Sequence, residues 1–184
     1  MKRLIDFLSS LFLIVLTLPL IILVSFLIKI TDKGPIFYLQ RRVGLHGKIF
    51  MIYKFRSMYH AQGKDWPYST STNDPRITRI GYYLRKSSMD EIPQLLNVLK
   101  GEMSLIGPRP NVEAQISNYT PEEYSLRNSV LPGITGLAQA TIRSYGTEKE
   151  RLEKDLFYVN NMCFLLDLKI IFLTIKQVLL KGGN

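Results

Sequence analysis

The feature that most restricts this chain is segment 11–28, "LFLIVLTLPLIILVSFLI", within a stretch that has no charge between Asp6 and Lys29. An uncharged run of this length matches the roughly 20 apolar residues that cross a bilayer's hydrocarbon. Pro19 stands at its centre. It has no N–H for the Val15 carbonyl and its ring crowds that carbonyl, so a sharp bend is predicted there. Basic residues flank both ends: Lys2 and Arg3 before, then Lys29, Lys33, Arg41 and Arg42 after. A spanning helix carries its positive excess on one side. Charge at both ends is what a hairpin entering and leaving by the cytoplasmic face would show. The rival is an ordinary spanning helix with a tolerated proline kink. A cleavable signal peptide fits less well, because no small-residue cleavage site follows.

The 184 residues suit one domain with a real core. Lone Cys163 forms no internal disulfide, and His46 and His60 lack ligand spacing, so no zinc site is expected. Lys and Arg number 24 against 15 Asp and Glu, a net charge of +9. That excess favours an anionic partner: phosphates, nucleic acid or an acidic membrane face.

Short apolar runs at 36–39 and 49–53 read as strand-like or extended pieces, and the Ser-, Thr- and Asn-rich stretch 62–74 as a loop and candidate lid. Leu95, Leu96, Val98 and Leu99 form a short helix stopped by Gly101. Near the C-terminus, Leu168, Ile171, Phe172, Ile175 and Leu179 make one apolar arc edged by Lys169 and Lys176. Such an arc either rests on lipid while the lysines snorkel, or covers a core.

The acidic pair Asp90-Glu91 in "SSMDEIPQ" (87–94) is the second constraint. Its plain explanation is capping: Asp90 as N-cap, with Pro93 at a position needing no N–H, or Ser88 as N-cap closing a box with Glu91. The neighbours say more. Arg85 and Lys86 precede the pair, Arg109 follows between the prolines of "GPRP", and "YKFRSM" adds Lys54 and Arg56. Cations of this kind suit a substrate with several phosphate charges. A carboxylate attacking a phosphoryl group meets repulsion of about 4 kcal/mol at about 4 Å and an effective dielectric near 20. Attack therefore needs bridging cations, and one acid can attack while its neighbour holds Mg²⁺.

These residues resemble the bacterial sugar transferases, the monotopic phosphoglycosyl transferases that begin glycan assembly on a polyprenol phosphate. The matching pieces are "KRLID" with the proline-broken run, "YKFRSM", "LRKSSMDEIPQLLNVLKGEMSLIGPRP", "PGITGLAQ" and "FLLDLKI". The resemblance implies an α+β, mostly helical fold. A re-entrant helix–Pro–helix hairpin (1–33) would join a small irregular catalytic domain (34–184) with surface-lying amphipathic helices. It implies a UDP-sugar donor, an undecaprenyl phosphate acceptor and the cytoplasmic face of the bacterial inner membrane. Asp90 would be the nucleophile, and Glu91 beside it would bind Mg²⁺, with Asp90 as a further ligand, and help orient or deprotonate the acceptor. Lys54 and Arg85 would contact phosphate and Arg109 the nucleotide, with Arg56 and Arg143 further substrate contacts. A second copy of the chain is kept as an alternative partner, and nucleic acid is not expected.

The chain departs from the family twice. The serine usual before the membrane proline is Leu18 here, with Thr17 one residue earlier. After "GLAQ" the chain reads "TIRS" where many relatives read "NGRN", so Arg143 matches without its neighbours. A rival of another class is a membrane-tethered basic module binding nucleic acid or anionic lipid without chemistry. The aromatics among cations in "IFMIYKFRSMYH" favour it, but no nucleic-acid recognition motif accompanies them.

Overall fold

The computed structural model describes residues 1–59, 74–142 and 146–181. The greater part of the predicted lid, and Arg143, lie outside the described residues. The chain is mostly helical, with two small sheets.

The apolar run lies within a helix of 31 residues, α1 (Lys2–Asp32), about 46 Å long at 1.5 Å per residue. Pro19 is inside it, and no helix end is assigned there. This differs from the two-helix reading of the sequence. A proline removes one rung from a long ladder, which bends a helix more readily than it ends one. Thr17 Oγ1 and Ser25 Oγ donate back to the carbonyls of Leu13 and Ile21.

Both ends of α1 bear on the same body. At the start, Lys2 pairs with Asp167 at 2.6 Å and Arg3 donates to the Val98 and Leu99 carbonyls. One turn on, the buried Asp6 carboxylate accepts from Ser104 Oγ and the Leu105 N–H. At the far end Val24 and Ile28 are buried with Phe55 and Leu84, and Leu20, Ile21, Ile36, Met89 and Ile92 close around them. The opposite side of the helix, including Leu8, Phe12, Val15, Leu16, Leu23 and Phe26, is exposed. A polar fastening at one end and an apolar one at the other thus hold a greasy helix along the body.

After α1 come β1 (Phe37–Val43) and β2 (Ile49–Phe55), antiparallel with Phe37 opposite Phe55 and Val43 opposite Ile49. The tight link carries His46 and Gly47 at positive φ. The helix α2 (Arg79–Lys86) starts at Thr78, whose side chain accepts from the Gly81 N–H. A short 3₁₀ segment of two turns, Met89–Gln94, then leads into α3 (Leu95–Lys100). Gly101 ends α3 at φ 86, a left-handed stop where a side chain would be strained.

The remaining elements are β3 (Ser104–Ile106), α4 (Pro121–Arg127), β4 (Gly133–Thr135), α5 (Leu137–Thr141), α6 (Glu148–Asn160) and α7 (Phe164–Lys181). β3 and β4 pair in parallel, Ser104 beside Gly133 and Ile106 beside Thr135. Thr120 and Thr147 close capping boxes with Glu123 and Glu150, which fix where α4 and α6 begin. Ile106, Leu137, Ala140, Tyr158 and Ile170 form the core of this half.

The side of α7 that covers the core is not the predicted arc. Ile170 is fully buried against that core, while Leu168, Ile171, Phe172 and Ile175 of the predicted arc are exposed. The Leu179 side chain lies outside the described residues. Together with the outer side of α1, this leaves apolar faces exposed along two long helices.

Candidate active site

The 3₁₀ segment places the acidic pair. Ser88 sits at φ 57 and ψ 16, a left-handed conformation that costs a non-glycine residue about 1–3 kcal/mol. It turns the chain sharply out of α2, and its hydroxyl makes no capping bond. Ser88 is thus the N-cap residue, as one of the two registers has it, but without the box to Glu91, and Asp90 is not the cap. Asp90 and Glu91 fall in the first turn of the segment and Pro93 lies inside it. Met89 and Ile92, on either side of the acids, pack toward α1, Leu84 and Phe55. The pair is thereby carried on the floor beneath the C-terminal half of α1.

A polar pocket opens there, lined by Lys54, Arg85, Ser88, Asp90, Glu91 and Arg109. Lys54 comes from β2, Arg85 from the last turn of α2, and Arg109 from the loop after β3. Glu91 uses one oxygen for two cations: Oε1 is 2.8 Å from Lys54 Nζ and 2.7 Å from an Arg109 terminal nitrogen. Burial alone would raise the Glu91 pKa. The Arg109 and Lys54 charges outweigh it and hold the carboxyl well below the usual range. Burial lowers Lys54, against the pull of Glu91.

Asp90 is the contrasting member. It is only 6% exposed, yet among the described residues its carboxylate accepts no hydrogen bond. Burial pushes its pKa up, with Lys54 pulling the other way and Glu91 adding to the rise. Among the described residues, the pocket thus contains one carboxylate fixed between two cations and one with its lone pairs uncommitted. Uncommitted lone pairs are what a nucleophile or a metal ligand needs.

The sequence-predicted residues do not all meet. Lys54, Arg85, Asp90, Glu91 and Arg109 line the pocket, whereas Arg56 does not. Its guanidinium packs over Gly34, because β2 ends at Phe55 and the alternation linking positions 54 and 56 stops there. Thr17 and Pro19 lie on α1, away from the pocket lining. No group of three or more potential metal-ligating side chains occurs among the described residues.

Asn97 escaped sequence reasoning. It is fully buried and ties β2 to α3. Its Oδ1 accepts from the Tyr53 N–H, and its Nδ2 donates to the Met51 carbonyl and to Glu102. This fixes the strand carrying Lys54 beside the helix following Glu91. The only sequence signal is an amide amid the leucines of "LLNVLK".

Comparisons with known proteins identify the family. The family model described as bacterial sugar transferase matches residues 1–181. An uncharacterized sugar transferase, EpsL of Bacillus subtilis (strain 168), is 42% identical across 100% of this chain and 89% of its own length. A UDP-glucose:undecaprenyl-phosphate glucose-1-phosphate transferase of Klebsiella pneumoniae is 41% identical over 95% of this chain and 39% of its own. An undecaprenyl-phosphate galactose phosphotransferase of Salmonella typhimurium is 39% identical over 100% of this chain and 41% of its own. The chain therefore spans about two fifths of the length of these two named transferases and nearly all of EpsL. With the family model covering almost every residue, the chain belongs to the bacterial sugar transferase family.

Proposed function

We propose that this chain is a phosphoglycosyl transferase that moves a sugar-1-phosphate from a UDP-sugar to undecaprenyl phosphate. The observation that carries the reading is the division of labour between adjacent acids. Glu91 is neutralised by Lys54 and Arg109, while Asp90 remains uncommitted in the same cationic pocket.

An Asp90 carboxylate oxygen forms a bond to the β-phosphorus of the donor. The bond from that phosphorus to the bridging oxygen breaks, and UMP leaves with the electron pair. The phosphosugar is then held on Asp90 as a mixed anhydride. A phosphate oxygen of undecaprenyl phosphate attacks the same phosphorus and the Asp90 carboxylate departs, restoring the enzyme. Lys54, Arg85 and Arg109 screen the donor's diphosphate from the attacking anion, which otherwise meets several kcal/mol of repulsion. A diphosphate between Lys54 and Arg109 competes with Glu91 for the same donors and frees that carboxylate.

Mg²⁺ fits these residues. It commonly takes one or two carboxylates and completes its shell with phosphate and water, so two adjacent acids, with no cluster of three potential ligands among the described residues, suit it. Asp90 and Glu91 would hold it, and when bound it would supply charge neutralisation at the transferring phosphoryl group.

The bilayer is reached through α1 and α7. Because both ends of α1 fasten to one body, we read the helix as entering and leaving one leaflet, bent at Pro19, from the cytoplasmic face of the cell membrane. The exposed arc of α7 lies on the same lipid surface, with Lys169 and Lys176 reaching its headgroups. The acidic pair, just under α1, then meets a lipid-borne phosphate at the interface. UMP release with undecaprenyl phosphate and UDP-glucose, UDP-galactose or UDP-N-acetylgalactosamine tests the function directly. Release that requires the lipid acceptor is expected with at least one donor. No release with a full UDP-sugar panel would reject the reading.

A further inference from the structure

Outside the pocket, a buried ion pair bears on the backbone of "GPRP". Arg127, the last residue of α4, and Asp155, in the middle of α6, are 4% exposed each. The Arg127 Nε and one terminal nitrogen lie 3.0 and 2.8 Å from Asp155 Oδ2. Terminal nitrogen Nη2 also donates to the main-chain carbonyl of Arg109 at 2.7 Å. Next along, Arg42 of β1 donates to the Pro110 carbonyl at 3.0 Å. On the other side, the Pro108 carbonyl accepts from the Gly133 N–H, and the Gly107 N–H donates to the Thr135 carbonyl.

Four successive residues, 107–110, are thus each tied to the body by a backbone group, while the Arg109 side chain reaches Glu91. Pro108 and Pro110 have no N–H, so their carbonyls are the handles this loop can offer. Two side chains of similar volume and no charge would hold α4 against α6 without the desolvation penalty of a buried pair. They would not supply a planar fork able to bond a carboxylate and a carbonyl together. The fork is what the backbone of Arg109 uses.

We propose that Arg127, oriented by Asp155, is a positioning residue that sets the Arg109 guanidinium for the donor's nucleoside diphosphate. The inference rests on reading Arg109 as a donor contact. The test is binding of UDP to the full chain in detergent with Mg²⁺ present, followed by titration calorimetry alongside thermal unfolding. The paired substitution Arg127→Met with Asp155→Leu should unfold close to wild type but bind UDP about tenfold more weakly, the scale on which small misplacements act. In an Arg109→Ala background the same pair should cost no further affinity, because its effect passes through that side chain.

Arg127→Lys keeps the charge and one donor but not the fork, and should fall between wild type and the pair. It also carries the cycle if the pair does not fold. Wild-type UDP affinity in the Arg127 variants, or an equal further loss on top of Arg109→Ala, overturns the positioning role alone. Unchanged UDP affinity in Arg109→Ala itself would instead overturn the donor-contact reading, and this inference with it.

Discussion

Glu91→Gln is the perturbation whose consequence the structure specifies most closely. It keeps shape and removes one charge, leaving Lys54 and Arg109 facing a neutral amide. At 2.8 Å and an effective dielectric near 20, the Lys54–Glu91 attraction is about 6 kcal/mol before desolvation. Both side chains are largely buried, at 16% and 14% exposure, so breaking this pair belongs with buried-pair disruptions of about 3–5 kcal/mol. The Arg109 side chain is 40% exposed, and solvent screening leaves its share at about 1 kcal/mol or less. Glu91→Gln should therefore lower stability by about 3 kcal/mol, or roughly 6–12 °C in Tm for a chain of this size. Lys54→Met should cost a similar amount or somewhat less, since it leaves Glu91 with only the partly exposed Arg109 as partner. The double variant removes both charges and should be more stable than either single one, with a coupling of at least about 2 kcal/mol. Thermal unfolding of the detergent-solubilised chain measures all four corners of the cycle. Simple additivity, with coupling below about 0.5 kcal/mol, would refute the claim that this pair organises the pocket.

Further expectations concern the neighbouring groups. Because the Glu91 pKa is depressed in the folded chain, its stabilisation is complete above the ordinary carboxylate pKa of about 4.3 and fades as pH falls below it. The stability gap between wild type and Glu91→Gln, followed by acid titration, should close only in strong acid. Asp90 has the opposite sign: its raised pKa means that ionising it opposes folding, a cost absent below its unfolded pKa and present at neutral pH. Asp90→Asn should thus be at least as stable as wild type at pH 7 while losing about 10³-fold or more in turnover, about 4 kcal/mol of barrier. Asn97→Ala strands the Tyr53 N–H and the Met51 carbonyl, and should cost about 2–3 kcal/mol in unfolding experiments. Cysteines introduced at Lys2 and Lys33 should react with impermeant reagents from the same side of sealed vesicles; labelling from opposite sides would reject the one-leaflet reading of α1.

Local signals in the sequence were enough to find β1 and β2 but not the three-residue β3 and β4, and to find α3 with its glycine stop and the C-terminal helix. Each depends on neighbours within a turn or on alternating positions. The acidic pair and most of its cations were also legible, since they cluster in "RKSSMDE" and "GPRP" and Lys54 sits in a strand aimed at them. Arg56 shows the limit of alternation: one residue past the end of β2, the rule no longer places a side chain. The ties that hold the site together could not be read, because they join distant positions. Asn97 reaches back to Met51, Asp6 to Ser104, and Arg127 forward to Asp155. No periodicity of 2 or 3.6 marks such pairs, and only the folded chain brings them together. At Pro19 the local rule identified a weak rung, but fastenings at both ends of α1 decide how the helix lies.

The account turns on Asp90 carrying the phosphosugar between two half-reactions. Incubating the full chain with a UDP-sugar radiolabelled in the β-phosphate, without lipid acceptor, and mapping the label after acid quench and proteolysis addresses this most directly. Label on the peptide containing Asp90, chased off by undecaprenyl phosphate and absent in Asp90→Asn, is the predicted result. Turnover by the wild-type chain with no acceptor-sensitive label on that peptide would contradict it.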